Sequence, residues 1–185
     1  MKPILKSEDT IEDILTIRPA EAGDIARLRE IYAWHVLHGA ASFEEQPPEP
    51  AEFERRWRAV AELGLPYLVA SDRVGPIGYA YAAPYRPRSA YRFTVEDSIY
   101  LDRAAIGRGI GRRLLGAVIE GATAAGKRQM LAVIGDSANA ASVGLHRRLG
   151  FTPVGTFRAV GFKFGRWVDS VLMQRALGPG DATLP

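Results

Sequence analysis

The chain has 185 residues and a formal charge of +3, contains no Cys, and is 47% hydrophobic and 24% charged. That length and composition suit a single domain able to build its own core, and the absence of Cys excludes disulfides, thiolate metal sites and cysteine nucleophiles together. The three His, His35, His38 and His146, form no acid-flanked helical pair, and the basic residues are dispersed, so neither a bound metal nor nucleic acid is expected. No apolar run approaches the roughly 18 residues of a membrane span and no signal-peptide core is present, which reads as a cytoplasmic protein without membrane association.

Met1 to about Leu15 and Gly178 to Pro185 carry no apolar period and read as tails around one domain of residues 16–177. A short strand is expected at Ile17. It is followed by a helix capped by the Asp24 side chain, with Ile25, Leu28, Ile31 and Tyr32 on its buried stripe and an end near His38 and Gly39. A second helix is expected over Pro50 to Leu63, with Pro in its first turn and Phe53, Trp57, Val60 and Ala61 buried. Tyr67–Ser71 and Ile77–Ala83 read as a hairpin across the turn formers of Asp72–Pro76.

After a polar, aromatic loop from Pro84 to Phe93, Thr94–Leu101 alternates as a strand. Val95, Asp97, Ile99 and Leu101 share one face, while Glu96, Ser98 and Tyr100 share the other. Gly107, Gly109 and Gly111 form a turn into an amphipathic helix carrying Ile110, Leu114, Leu115, Val118 and Ile119 and ending near Gly126. Met130–Ile134 is an apolar strand, and Asn139–Leu149 is a helix closed by Gly150. Arg158–Phe164 and Trp167–Met173, joined through Gly165, make a final hairpin, so the order is mixed α and β.

The sharpest motif is Arg108-Gly109-Ile110-Gly111 between a strand and a helix. Glycine permits close backbone approach, and the free amides of a first helical turn, with the helix dipole, suit phosphate oxygens. Neither the Gly-Lys-Ser/Thr ending of a phosphate loop nor the third Gly of a dinucleotide fingerprint is present. Taken alone, the turn reads equally well as a plain strand-to-helix connection.

Set among its neighbours, this turn resembles the pyrophosphate loop of the Gcn5-related N-acetyltransferase superfamily. The strand before it, the helix and strand after it, and the Asn139 and Ser142 helix ending in Leu149-Gly150-Phe151 extend that resemblance over nearly the whole domain. It implies a mixed α/β fold with a splayed, mainly antiparallel sheet of six to seven strands that binds acetyl-CoA. One departure is Ile106, where the superfamily usually carries Gln or Arg; Arg108 and Arg112 offer positive charge instead. Six further segments resemble the phosphinothricin acetyltransferase branch. They are Ala41-Ser42-Phe43-Glu44, Gly78-Tyr79-Ala80-Tyr81, Pro84-Tyr85-Arg86 through Tyr91, Thr94-Val95-Glu96 ahead of Ile99-Tyr100-Leu101, Leu145-His146-Arg147-Arg148 before Leu149, and Gly161-Phe162-Lys163 with Gly165-Arg166-Trp167.

The branch acetylates the α-amine of small amino acids and their analogues, which implies an amino-acid-like substrate and a homodimer. An α-ammonium attacks a thioester only after losing a proton, so a base is needed within reach, and Glu96 is the candidate. By resemblance, the backbone of Ile99, Tyr100 and Leu101 pairs with the pantetheine arm and stabilises negative charge developing on the thioester oxygen. Gly107, Arg108, Gly109, Ile110, Gly111 and Arg112 hold the pyrophosphate, and Asn139 and Ser142 complete the cofactor site. His146 reads either as a second proton-transfer group or as a neutral His on the rim of an apolar stripe. Tyr100 reads either as proton donor to the leaving thiolate or as an ordinary strand Tyr.

Arg86, Arg88 and Arg92, just ahead of Glu96, offer guanidinium groups to a substrate carboxylate, phosphinate or sulfonyl oxygen. Tyr91, Thr94, Phe43, Tyr81 and Lys163 complete the substrate pocket by resemblance. With no Cys, direct transfer in a ternary complex is expected. The alternatives are the same fold acting on an aminoglycoside, polyamine or protein N-terminus, or a non-catalytic acyl-CoA-binding module; three Arg beside Glu96 favour an anionic amino acid over a polycation.

Overall fold

The computed structural model describes residues 15–185. The N-terminal tail expected over residues 1–15 therefore lies outside the described residues, except for buried Leu15. Seven strands form one sheet in the order β1-β2-β3-β4-β5-β7-β6. They are β1 (Thr16–Pro19), β2 (Tyr67–Ser71), β3 (Pro76–Pro84), β4 (Thr94–Leu101), β5 (Gln129–Gly135), β6 (Thr152–Lys163) and β7 (Arg166–Ala176). Only β4 and β5 are parallel neighbours; the other pairs are antiparallel.

Four helices cover the sheet: α1 (Ile25–His38), α2 (Pro50–Glu62), α3 (Ile110–Ala124) and α4 (Ala140–Arg148). On one face, α1 and α2 bring Tyr32 and Phe53 against Tyr79 and Tyr100. On the other, α3 buries Ile110, Leu114, Leu115 and Val118 with no more than 1% of any of them exposed. Full burial of each such aliphatic side chain contributes about 1.5–3 kcal/mol. Gly150 ends α4 with φ of 83°, the left-handed conformation a β-carbon would strain.

Three local expectations need correction. Asp24 does not cap α1 with its side chain. Its carboxylate instead accepts the Glu21 amide and both terminal nitrogens of Arg18, because a 3-10 turn over Ala22–Asp24 precedes the helix and turns Asp24 back toward β1. Ala61 is exposed, since α2 presses only Phe53, Val60 and the edge of Trp57 into the core. Finally, β6 begins at Thr152 rather than Arg158, where Pro153, Gly155 and two register shifts disguise the strand period.

Candidate active site

The feature that organises the site is the parting of β4 from β5. They pair from Thr94 opposite Gln129 to Asp97 opposite Ala132 and no further. Beyond that point β4 continues beside β3 to Leu101 and β5 continues beside β7 to Gly135. The facing backbone edges of Ser98–Leu101 and Val133–Gly135 therefore border a wedge-shaped cleft, completed by Ala41, Asn139, Ser142 and His146. An extended, amide-bearing ligand can pair with such an edge as a strand would.

The N-terminus of α3 stands beyond the far end of β4. Gly107 and Gly109 have φ of 81° and 78°, so the turn exposes backbone that a side-chain-bearing residue would hold only with strain. Arg108 and Arg112 are exposed beside it. Gly111 is buried where α3 meets β4 and α4, with Ile99, Leu101 and Leu145 3.4–3.6 Å from the position of a β-carbon. Asn139 caps α4, its Oδ1 accepting the Ser142 amide at 3.1 Å. The loop, the strand edge and the capped helix thus form one continuous border, and their open amides and guanidinium groups fit a pantetheine diphosphate.

On the α1 and α2 face, β3 and β4 register Ala83 opposite Glu96, Tyr81 opposite Ser98 and Tyr79 opposite Tyr100. Burial first, and the neighbouring charge of Asp97 second, raise the Glu96 carboxyl above the ordinary range, while Arg86 opposes them. The Arg86 guanidinium lies 4.9 Å from the Tyr85 ring centre, three residues beyond Ala83, which faces Glu96. Arg92 covers Phe93 and reaches the Ser89 carbonyl, and Arg88 is exposed at the start of a 3-10 turn. Tyr91 packs edge-on against Tyr85, and Thr94 opens β4. A cavity of about 310 Å³ adjoins this face, walled by Tyr67, Tyr79, Tyr81, Ala83, Pro84 and Arg56.

Phe43 lies on the loop between α1 and α2, which crosses the end of β5. A β-carbon at Gly135 would stand 1.9 Å from the Ala40 carbonyl oxygen, and one at Gly161 would stand 2.5 Å from the Phe43 ring. The loop seats directly on those two glycines. Lys163, only 2% exposed, donates to the carbonyls of Gly39 and Ser42, so its ammonium is committed to this loop.

Sequence reasoning left His146 between the reaction and an apolar rim. In the structure it is buried at the edge of the cleft, with one ring nitrogen on the Ser142 carbonyl and the other on Asp97. Asp97 went unassigned, although a lone carboxylate on the apolar face of β4 was a visible signal. His35, also unassigned, donates Nε2–H to the Leu101 carbonyl at 2.8 Å and steadies the end of β4. Burial pushes it below the usual His range, opposed by that bond, and its place one turn after Ile31 and Tyr32 on the buried stripe was its only hint. Tyr100 packs on Tyr32, Tyr79 and His35, and burial holds its hydroxyl protonated.

Residues 17–172 match the acetyltransferase (GNAT) domain model. The chain belongs to the GNAT acetyltransferase family. Within that family it is 52% identical over 170 residues to a phosphinothricin N-acetyltransferase of Alcaligenes faecalis, covering 92% of this chain and 86% of the relative. It is 44% identical over 165 residues to an L-methionine sulfoximine/L-methionine sulfone acetyltransferase of Pseudomonas paraeruginosa, covering 89% and 95%. A phosphinothricin acetyltransferase from Sinorhizobium meliloti, solved in complex with acetyl-CoA, superposes with a TM-score of 0.90 at 50% identity over 93% of each chain. The GNAT fold expected from the sequence is the fold observed. No helix among the described residues is long and apolar enough to cross a membrane.

Proposed function

We propose that this GNAT enzyme transfers an acetyl group from acetyl-CoA to the α-amine of a small amino acid or analogue of the phosphinothricin or methionine sulfoximine type. The observation that carries this reading is the β3–β4 register, which sets Glu96 opposite Ala83, three residues before Arg86. An α-amino acid presents an ammonium and a carboxylate a few bonds apart, and this pair offers a base to the first and a guanidinium to the second. Its side chain then has the aromatic cavity beside Ala83 and Pro84 to enter.

Acetyl-CoA supplies the activated acyl group when bound. The edge of β4, the turn of Gly107–Arg112 and α4 from Asn139 to Ser142 are the residues that would hold it, with the thioester end in the cleft and the diphosphate at α3. Glu96 removes a proton from the ammonium, directly or through one water, and its raised carboxyl makes it a stronger base than an exposed Glu. Tyr100 Oη keeps its proton and is the candidate donor to the departing sulfur. Because the chain has no Cys, no cysteine acyl-enzyme forms and the amine takes the acyl group directly. Arg86, Phe43 and Tyr81 face the amine substrate, with Lys163 acting on it through the loop it holds. A cytoplasmic setting suits an enzyme that draws on acetyl-CoA.

A homodimer is part of the same proposal. Edge strand β6 and its turn into β7 expose Val154, Phe157, Val160, Phe162, Phe164 and Trp167, each more than half accessible, and a second copy is the occupant that the family resemblance implies. The test of the activity is thiol release from acetyl-CoA with phosphinothricin, methionine sulfoximine, methionine sulfone, ordinary amino acids, a polyamine and an aminoglycoside. Release with the amino-acid analogues is expected. Release only with polycations would reject the substrate class, and acetyl-CoA binding without release from any amine would reject catalysis.

A further inference from the structure

The buried Asp97–His146 pair has no part in the reaction as described, and its geometry is specific. His146 Nδ1 lies 2.8 Å from the Ser142 carbonyl oxygen, and Nε2 lies 3.0 Å from Asp97 Oδ2. A carbonyl oxygen only accepts, so Nδ1 carries a hydrogen. A carboxylate oxygen also accepts, so a bare Nε2 lone pair facing it would repel it. Both contacts are attractive together when both nitrogens are protonated. The Ser142 hydroxyl, 3.4 Å from Nδ1, is too distant to reverse that choice.

We infer that Asp97 is a positioning residue that holds His146 as a doubly protonated imidazolium beside the vertex of the β4–β5 cleft. The side chains are 2% and 3% exposed, so water does little to screen the pair. Burial disfavours the charged ring, but the hydrogen bond and charge of Asp97 outweigh it, helped by the Ser142 carbonyl, and His146 is raised. Around the imidazole, β5 presents Ala132 and Ile134, and Phe151 packs edge-on at 5.0 Å. Glu96, next to Asp97 in β4 and on the opposite face, feels the Asp97 carboxylate, which adds to burial in raising it.

Asp97 is the last β4 residue paired with β5, so the pair stands where the cleft opens, and both residues line it. The second oxygen of Asp97, Oδ1, is buried there without a hydrogen-bond partner. The ion pair carries no net charge, but loss of the His146 proton would leave the Asp97 carboxylate alone at this vertex, opposing the negative charge that develops when a thioester is attacked. The inference rests on the acetyltransferase reading for that consequence and, for the protonation state, on the geometry around an ionised Asp97. Turnover should therefore fall on the alkaline side as His146 loses its proton, and the limb should belong to the pair.

Asp97→Asn separates charge from position. An Asn amide can donate to Nε2 of a neutral ring, keeping its orientation while discharging it. Nitrogen-resolved NMR of His146 against pH is the direct test, with the pH profile of kcat alongside. In the wild type both ring nitrogens should be protonated at pH 7; a neutral ring there overturns the inference, whether or not the variant folds. In Asp97→Asn the ring should be neutral at pH 7 with hydrogen on Nδ1, the acid limb of the kcat profile should move to lower pH as Glu96 loses its charged neighbour, and the alkaline limb that belongs to the pair should disappear. A variant ring still charged at pH 7, or an unmoved alkaline limb, also overturns it. Failure of every amine to turn over would reject the acetyltransferase reading instead and leave the NMR result to decide.

Discussion

The Lys163 ammonium donates to the carbonyl oxygen of Ser42 at 2.7 Å, joining residues 121 apart in the chain. The same ammonium holds Gly39 at 2.8 Å, so β6 fixes the first residues of the α1–α2 loop, those that bring Ala40 and Phe43 over β5. Tyr32 adds a third tie, its hydroxyl 2.8 Å from the Ser42 hydroxyl. The wall of the site therefore depends on a residue that contacts it from beneath.

Replacing Lys163 with Met should free this loop without opening a large cavity. Two carbonyls lose their donor, a cost of about 1–3 kcal/mol. Thermal unfolding should shift down, and KM for the amine should rise while affinity for acetyl-CoA changes little. Unchanged amine KM with normal stability would show that the loop holds its place unaided.

Gly161→Ala and Phe43→Ala should be coupled. The new methyl would overlap the Phe43 ring, and such overpacking costs about 1–3 kcal/mol. With the ring already removed, the three atoms nearest the new methyl are gone and the same substitution should cost less. A double-mutant cycle read by chemical denaturation measures the difference; additive effects would mean that the ring does not sit over Gly161.

Glu96→Gln should lower kcat by about a hundredfold or more while leaving acetyl-CoA affinity intact. In the wild type, activity should rise with pH as the carboxyl deprotonates, and burial displaces that limb above the ordinary carboxylate range. The variant should lack the limb altogether. Near-normal turnover, or a limb that survives the substitution, would move the base elsewhere.

The double variant Arg108→Ala, Arg112→Ala should weaken acetyl-CoA binding and flatten its dependence on salt, since both side chains are exposed beside the α3 turn. Calorimetry at two ionic strengths reads both effects. Equal affinity and equal salt dependence in wild type and variant would exclude these guanidinium groups from the diphosphate.

Local pattern carried much of this protein. The period-two strand Thr94–Leu101, the glycine turn before α3, and the stripes of α1 and α3 are legible because each depends on near neighbours in the chain, and together they pointed to the family and to Glu96. What local pattern could not supply was who meets whom across the fold. Asp97 and His146 stand 49 residues apart and read separately as an odd carboxylate and an optional base; in the core Asp97 Oδ2 meets His146 Nε2. Lys163 read as a substrate contact because its family position said so, and only packing against the α1–α2 loop shows where its hydrogens go. Among Arg86, Arg88 and Arg92 the sequence offers three equal guanidinium groups, and the fold gives them different neighbours: Arg86 lies over Tyr85 and Arg92 over Phe93. The sequence by itself determined the elements, the family and the kind of chemistry, because those follow from periodicity and short motifs. The tertiary structure decided the positioning contacts, the burial of the titratable groups and the shape of the pocket, because burial and hydrogen-bond partners exist only once distant segments have packed.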